Sequence, residues 1–176
     1  MEEKMDTQIE TTKRTKICRD SDSGVSKDCP MDIWQQAMED FQRRFELHKV
    51  NVKAYSPLAL AYIGDTIFDL IFRTLVVSRF NMAAHKYHKE VCRYVSAVAQ
   101  SEMVEQIQEL FTDEELEIYK RGRNSKPYNR AKNASVIEYQ RATGLEALVG
   151  YLYLDGRMER IFELIKEGIC RMNGGE

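Results

Sequence analysis

The sequence has no excess of charge of one sign. Its 26 Lys and Arg stand against 28 Asp and Glu, a formal net charge of −2 at pH 7. A chain-wide basic footprint is thereby excluded, so any nucleic-acid surface has to be local. Thiol clusters are missing as well. Cys18, Cys29, Cys92 and Cys170 are far apart, with no CxxC and no Cys/His cluster, which speaks against zinc or a disulfide framework and for reduced thiols in a cytoplasmic protein. The N-terminus is polar throughout, unlike a signal peptide. The apolar run Leu58–Phe72 is too short for a membrane span and carries Asp65 and Asp69, so no membrane association is expected. Gly-rich phosphate loops, the GxSxG elbow and the HExxH motif are all missing. Strand alternation, hairpin turns and internal repeats are hard to find.

What is present is helix after helix. Residues 1–30 are polar, of mixed charge and almost free of large apolar groups. They cannot bury enough surface to fold and are predicted to form a disordered tail, leaving 31–176 as one domain. Asp32 followed by Gln35 resembles a capping box, and Trp34, Met38, Phe41 and Phe45 recur at helical spacing. Ser56-Pro57 reads as an N-cap followed by Pro at the first helical position, opening an apolar helix to about Val77. Asn81 is placed as the cap of the next helix, which continues or kinks towards Leu110. Thr112 with Glu115 opens a short helix to about Tyr119. Ser135 with Glu138 opens a second apolar helix that stops near Asp155-Gly156. A last amphipathic helix carries Met158, Ile161, Phe162, Ile165 and Ile169. The predicted fold class is all-α.

Two acids break the apolar helices. Asp65 interrupts LALAYIGDTIFDLIF and Glu146 interrupts ATGLEALVGYLYL. A buried unpaired carboxylate costs several kcal/mol or more, so it shifts its pKa, finds a partner or binds a metal. Gly64 beside Asp65, and Gly144 and Gly150 flanking Glu146, are unfavourable in helix interiors and suggest close approach of another helix or, at Gly64, of a substrate. Two acids on facing helices can offer oxygen ligands to Mg²⁺. The plainer alternative is pairing, of Asp65 with an Arg or a backbone group and of Glu146 with Arg73 or Arg141.

Lys120–Asn133, KRGRNSKPYNRAKN, contains Gly122 and Pro127, is rich in Arg and Lys and has no acid. It reads as a basic loop able to neutralise phosphates, or more blandly as a solvated loop. The stretch Glu102–Glu117 before it is strongly acidic. His85 and His88 share a helix face, but no third ligand lies nearby in sequence, and surface or RNA-backbone contact fits them better than zinc.

With these residues in view, the chain resembles a ribonuclease III catalytic domain over roughly Tyr55 to Ile169. More narrowly it is similar to Mini-ribonuclease III, the form without a double-stranded-RNA-binding domain. The matching segments are LALAYIGDTIFDL, HKEVCRYVSAVAQ, KRGRNSKPYNRAKNA and GLEALVGYLYLDG, in that order. The resemblance implies the helical bundle of the ribonuclease III endonuclease domain. It implies a Mg²⁺-dependent endoribonuclease, with Mn²⁺ as a substitute, that cuts double-stranded RNA as a homodimer. The implied substrate is the 23S ribosomal RNA precursor. Asp65 and Glu146 map onto the metal-binding catalytic carboxylates, and Lys89, Arg93, Arg123, Asn124, Lys126 and Lys132 are the implied RNA contacts. Asp69 is given a structural or RNA-facing role ahead of one at the metal. Full-length ribonuclease III has further acids where this chain has Leu58, Ala61 and Thr143. The main rival is a non-catalytic RNA-binding module of the same fold; a nucleotide phosphohydrolase is a third reading.

Overall fold

The computed structural model describes residues 32–48, 51–125 and 134–174. The tail assigned to 1–30 lies outside them. Among the described residues there are seven α-helices and no strand. They are α1 (Asp32–Arg44), α2 (Pro57–Arg79), α3 (Ala84–Val95), α4 (Ala97–Ile107), α5 (Asp113–Arg123), α6 (Val136–Leu154) and α7 (Met158–Met172), with 3-10 turns at Val52–Ala54 and Gln108–Leu110.

Most helix starts follow the local chemistry of the sequence. Ser56 Oγ accepts from the Ala59 amide and Pro57 takes the first turn of α2. Thr112/Glu115 and Ser135/Glu138 both form complete capping boxes, opening α5 and α6. Asp155 ends α6, and Gly156 turns the chain at φ 78°, a conformation that favours glycine. α1 begins at Asp32; the capping box read at Asp32 and Gln35 and the side chain of Trp34 lie outside the described residues. Phe41 and Phe45 pack on each other, centroids 4.7 Å apart, and both stay exposed.

Asn81 is not the cap assigned to it. α3 starts at Ala84, and its N-cap Ala83 has no side-chain acceptor. The turn before it is tied by Tyr87, whose hydroxyl donates to Phe80 O (2.7 Å) and accepts from the Met82 amide (3.2 Å). Of the two courses open towards Leu110, continuing or kinking, the chain takes the second, at Ser96, which caps α4 by accepting from the Ala99 amide. α5 runs one turn further than expected, to Arg123, because Lys120, Arg121 and Arg123 oppose the negative end of the helix dipole. The first four residues of the predicted basic loop, Lys120–Arg123, are therefore helix. Arg121 is committed to structure, donating to Lys53 O (3.2 Å) and Tyr55 O (3.1 Å).

α6 is the central helix. It packs most extensively on α2, then on α5 and α4, and also meets α7. From Ala142 to Leu152 every residue is buried except Glu146. Each large aliphatic side chain buried there, such as Leu145, Leu148 or Leu152, contributes about 1.5–3 kcal/mol. α7 presents Ile161, Leu164, Ile165 and Ile169 to the core, whereas Phe162, expected on that face, is exposed. The fully buried Glu115 bonds to Arg160 (2.9 and 3.1 Å) and Arg157 (3.1 Å), locking the start of α5 to α7. No described helix is long and apolar enough to cross a membrane.

Candidate active site

The site is built where α2 crosses α6. A Cβ added at Gly64 would lie 1.8 Å from the Glu146 carbonyl oxygen, and one at Gly150 would lie 2.0 Å from the Leu60 carbonyl oxygen. Backbone meets backbone, so only glycine fits either position. On another side of α6, a Cβ on Gly122 of α5 would meet Ala147 Cβ at 2.6 Å, and one on Gly144 would meet the Tyr119 ring at 2.6 Å. The close helix approach expected of the interior glycines is what the structure has. The crossing sets Asp65, next to Gly64, beside Glu146.

The two acids differ in setting. Glu146 is half-buried, and desolvation together with the neighbouring Asp65 charge raises its pKa to about 7. Asp65 is exposed as a residue, contrary to the expectation of burial. α2 turns an outer face to solvent on which Leu58, Tyr62, Leu70 and Val77 are exposed, Tyr62 by 81%, and Asp65 sits on that face. Its carboxyl end is still crowded enough that desolvation, with Asp69 adding to it, raises its pKa.

Neither acid has an ion-pair partner among the described residues. The cations weighed as partners are used elsewhere. Arg73 binds Asp69 (2.5 Å), and Arg141 binds Glu105 and reaches Ser101 Oγ at 3.5 Å. Asp69 is therefore held by an arginine one turn on. Thr143 is buried and donates to Tyr139 O (3.0 Å), and Ala61 is buried against the core. No set of three His, Cys, Asp or Glu that could hold a metal occurs among the described residues. An ion held by Asp65 and Glu146 would keep much of its own hydration, as Mg²⁺ commonly does.

One residue at the site escaped sequence reading. Gln100 on α4 is 1% exposed. Its amide faces Glu146 closely enough to favour the ionised carboxylate, yet neither amide atom completes hydrogen-bond geometry with a described group. The signal was there: Gln100, Met103, Val104 and Ile107 form one helical stripe, apolar but for Gln100.

The described basic residues lie on or at the ends of helices that pack against α2 and α6. Lys89 is exposed on α3, and Arg93 bonds Glu90 at 3.3 Å; α3 packs against α2. Arg123 lies over the Tyr119 ring at 5.9 Å and donates to Asn124 Oδ1 at 3.2 Å, at the α5 terminus beside α6. Lys126 and Lys132 lie outside the described residues.

Comparison with known proteins fits this arrangement. The ribonuclease III domain family matches residues 58–157. The chain is 42% identical to a Mini-ribonuclease 3 of Clostridium tetani, over 69% of this chain and 81% of that protein. It is 42% identical to one from a Thermoanaerobacter species, over 75% and 94%, and 41% identical to that of Staphylococcus aureus, over 70% and 93%. A crystal structure of a Fusobacterium nucleatum protein, 33% identical, aligns with a TM-score of 0.60 over 66% of this chain and 93% of that one. The chain belongs to the ribonuclease III family of endoribonucleases, in its Mini-ribonuclease III branch.

Proposed function

We propose that this protein is a Mg²⁺-dependent endoribonuclease that hydrolyses double-stranded RNA, with Asp65 and Glu146 holding the metal ion. One observation carries the reading. Two neighbouring carboxylates, both with raised pKa values, have no cation to offset them among the described residues. Like charges brought together and partly desolvated call for a counter-charge, and hard oxygen donors suit Mg²⁺, with Mn²⁺ as a substitute. When bound, the ion supplies the Lewis-acid charge that activates water and offsets charge on the phosphate.

The protein's own part is placement. The glycine contacts fix the α2–α6 crossing and with it the spacing of the two acids. Lys89 and Arg123 offer cationic contacts to phosphates, and Arg93, Asn124, Lys126 and Lys132 are the further RNA contacts of this reading. A-form RNA is met through its shape, 2′-hydroxyls and phosphates. Leu58, Tyr62, Leu70 and Val77, exposed on the face of α2 that carries Asp65, support a homodimer formed through α2. The 23S ribosomal RNA precursor, in the cytoplasm, is the substrate this family branch suggests.

The test is cleavage of a perfect RNA duplex with Mg²⁺ and with excess chelator, wild type beside Asp65→Asn. Mg²⁺-dependent cutting lost in the variant is expected. Tight RNA binding without cutting under any condition would instead make the protein a non-catalytic RNA-binding module.

A further inference from the structure

Gln100 has both side-chain polar atoms buried and unsatisfied among the described residues. An unmade hydrogen bond on a buried amide costs about 1–3 kcal/mol, so a glutamine persists in an apolar stripe only where its amide has something to do. The surroundings narrow the choice. α4 packs along α6, and Arg141 on α6 reaches Ser101 and Glu105 on α4. Further along α6, the group facing Gln100 is the Glu146 carboxylate. A carboxylate accepts only, so the end of the amide that serves it is the N–H.

We infer that Gln100 is a positioning residue: its side-chain N–H donates to the Glu146 carboxylate and fixes the rotamer that turns the carboxylate towards Asp65. This rests on the reading of Asp65 and Glu146 as the metal-binding pair. The carboxylate has four lone-pair directions. Occupying one from the α4 side leaves the opposite side for a cation shared with Asp65. Because Gln100 is fully buried, it acts through Glu146 and touches neither RNA nor water outside. Partners that orient a metal ligand in this way typically account for a 10- to 100-fold difference in metal affinity or activity.

The substitution that isolates the role is Gln100→Met, which keeps length and volume and removes the amide. Three readouts apply to the full-length protein. First, Mn²⁺ affinity without RNA, followed by electron paramagnetic resonance, is expected to fall roughly 10- to 100-fold. Second, cleavage of duplex RNA at fixed Mn²⁺ should lose kcat by a similar factor with KM for RNA nearly unchanged, and excess Mn²⁺ should restore it. Third, in wild-type protein the Gln100 side-chain NH₂ resonances should be slow to exchange with solvent and should move when Glu146→Gln is introduced. Wild-type Mn²⁺ affinity in folded Gln100→Met would overturn the positioning role, and so would NH₂ resonances indifferent to Glu146→Gln. If wild-type protein bound no Mn²⁺ at all, the metal reading would fall, and the positioning role with it, because a fixed carboxylate would have no ion to receive. The third readout stays decisive even if Gln100→Met does not fold.

Discussion

Removing the charge of Glu146 should stabilise the metal-free protein while destroying the site. The carboxyl has a pKa of about 7 in the folded chain, against an ordinary value of 4.5. A raised folded pKa means that the folded state binds the extra proton between those values, so stability falls as pH rises through that window. Below about 4.5 there is no penalty; above about 7 it is complete. Each pKa unit is worth about 1.4 kcal/mol, which makes the penalty at pH 8 about 3.5 kcal/mol at most. Solvent access to a half-buried group reduces that figure. Glu146→Gln carries no charge at any pH. In the presence of chelator the variant should be more stable than wild type at pH 8, by up to about 3.5 kcal/mol, and nearly equal to it close to pH 4.5. For a chain of this size that is a melting-temperature gain of roughly 7–14 °C at pH 8. Saturating Mg²⁺ should reverse the order if, as proposed, only the wild-type pair holds the ion and so gains stability by mass action. Differential scanning calorimetry of both proteins at pH 5 and pH 8, with chelator and with Mg²⁺, measures the stability difference under each of the four conditions. A stability difference independent of pH would refute the electrostatic reasoning. Equal Mg²⁺ stabilisation of both proteins would refute the role of Glu146 in holding the ion.

Other perturbations reach other parts of the structure. Gly64→Ala forces a methyl into a space 1.8 Å from a backbone carbonyl oxygen, so α2 and α6 must separate; a loss of about 3 kcal/mol in urea unfolding is expected, the upper end for overpacking, and a loss under 1 kcal/mol would show that the crossing is looser than described. Arg160→Ala removes two of the three arginine contacts to the fully buried Glu115 and should cost about 3 kcal/mol, since Arg157 remains; adding Glu115→Gln should recover part of it. Arg123→Ala should weaken RNA binding and lower the slope of log K against log salt by about 1, as expected for one phosphate contact; an unchanged slope would remove Arg123 from the RNA surface.

Much of the fold was legible because its helix boundaries are set by local chemistry. Ser56-Pro57, Thr112/Glu115 and Ser135/Glu138 act within one turn of chain, and no distant residue has to be known. Where a boundary depends on a longer reach, sequence reading misplaces it. The turn before α3 is held by Tyr87 bonding seven residues back to Phe80, which no capping rule contains, whereas local rules point to Asn81. Phe162 sits beside Ile161 and Ile165 at helical spacing, but α7 is covered on one side only, and periodicity does not say how wide the covered arc is.

The candidate site divides in the same way. Glycines in helix interiors announced a close crossing, because nothing else repays their low helix propensity. Asp65 and Glu146 stood out as acids in apolar runs, yet the sequence could not say that Asp65 faces outwards, because the residues around it are apolar for a different reason: Leu58, Tyr62, Leu70 and Val77 lie on an exposed face. That exposure bears on the site. A carboxylate on the outer face of α2, next to a half-buried carboxylate on α6, leaves one side of the pair open. RNA can approach from that side, and so can a second protomer seated on the apolar residues of α2. The closed side is lined by α6 and by Gln100 of α4. The two sides call for different experiments. Substituting Tyr62 with Glu should dissociate a dimer formed through α2 while leaving the protomer folded, since Tyr62 supports nothing in the core. Sedimentation velocity of the wild type and Tyr62→Glu, read beside cleavage rate, ties assembly to activity. Loss of dimer with full cutting would mean that one protomer completes the site alone.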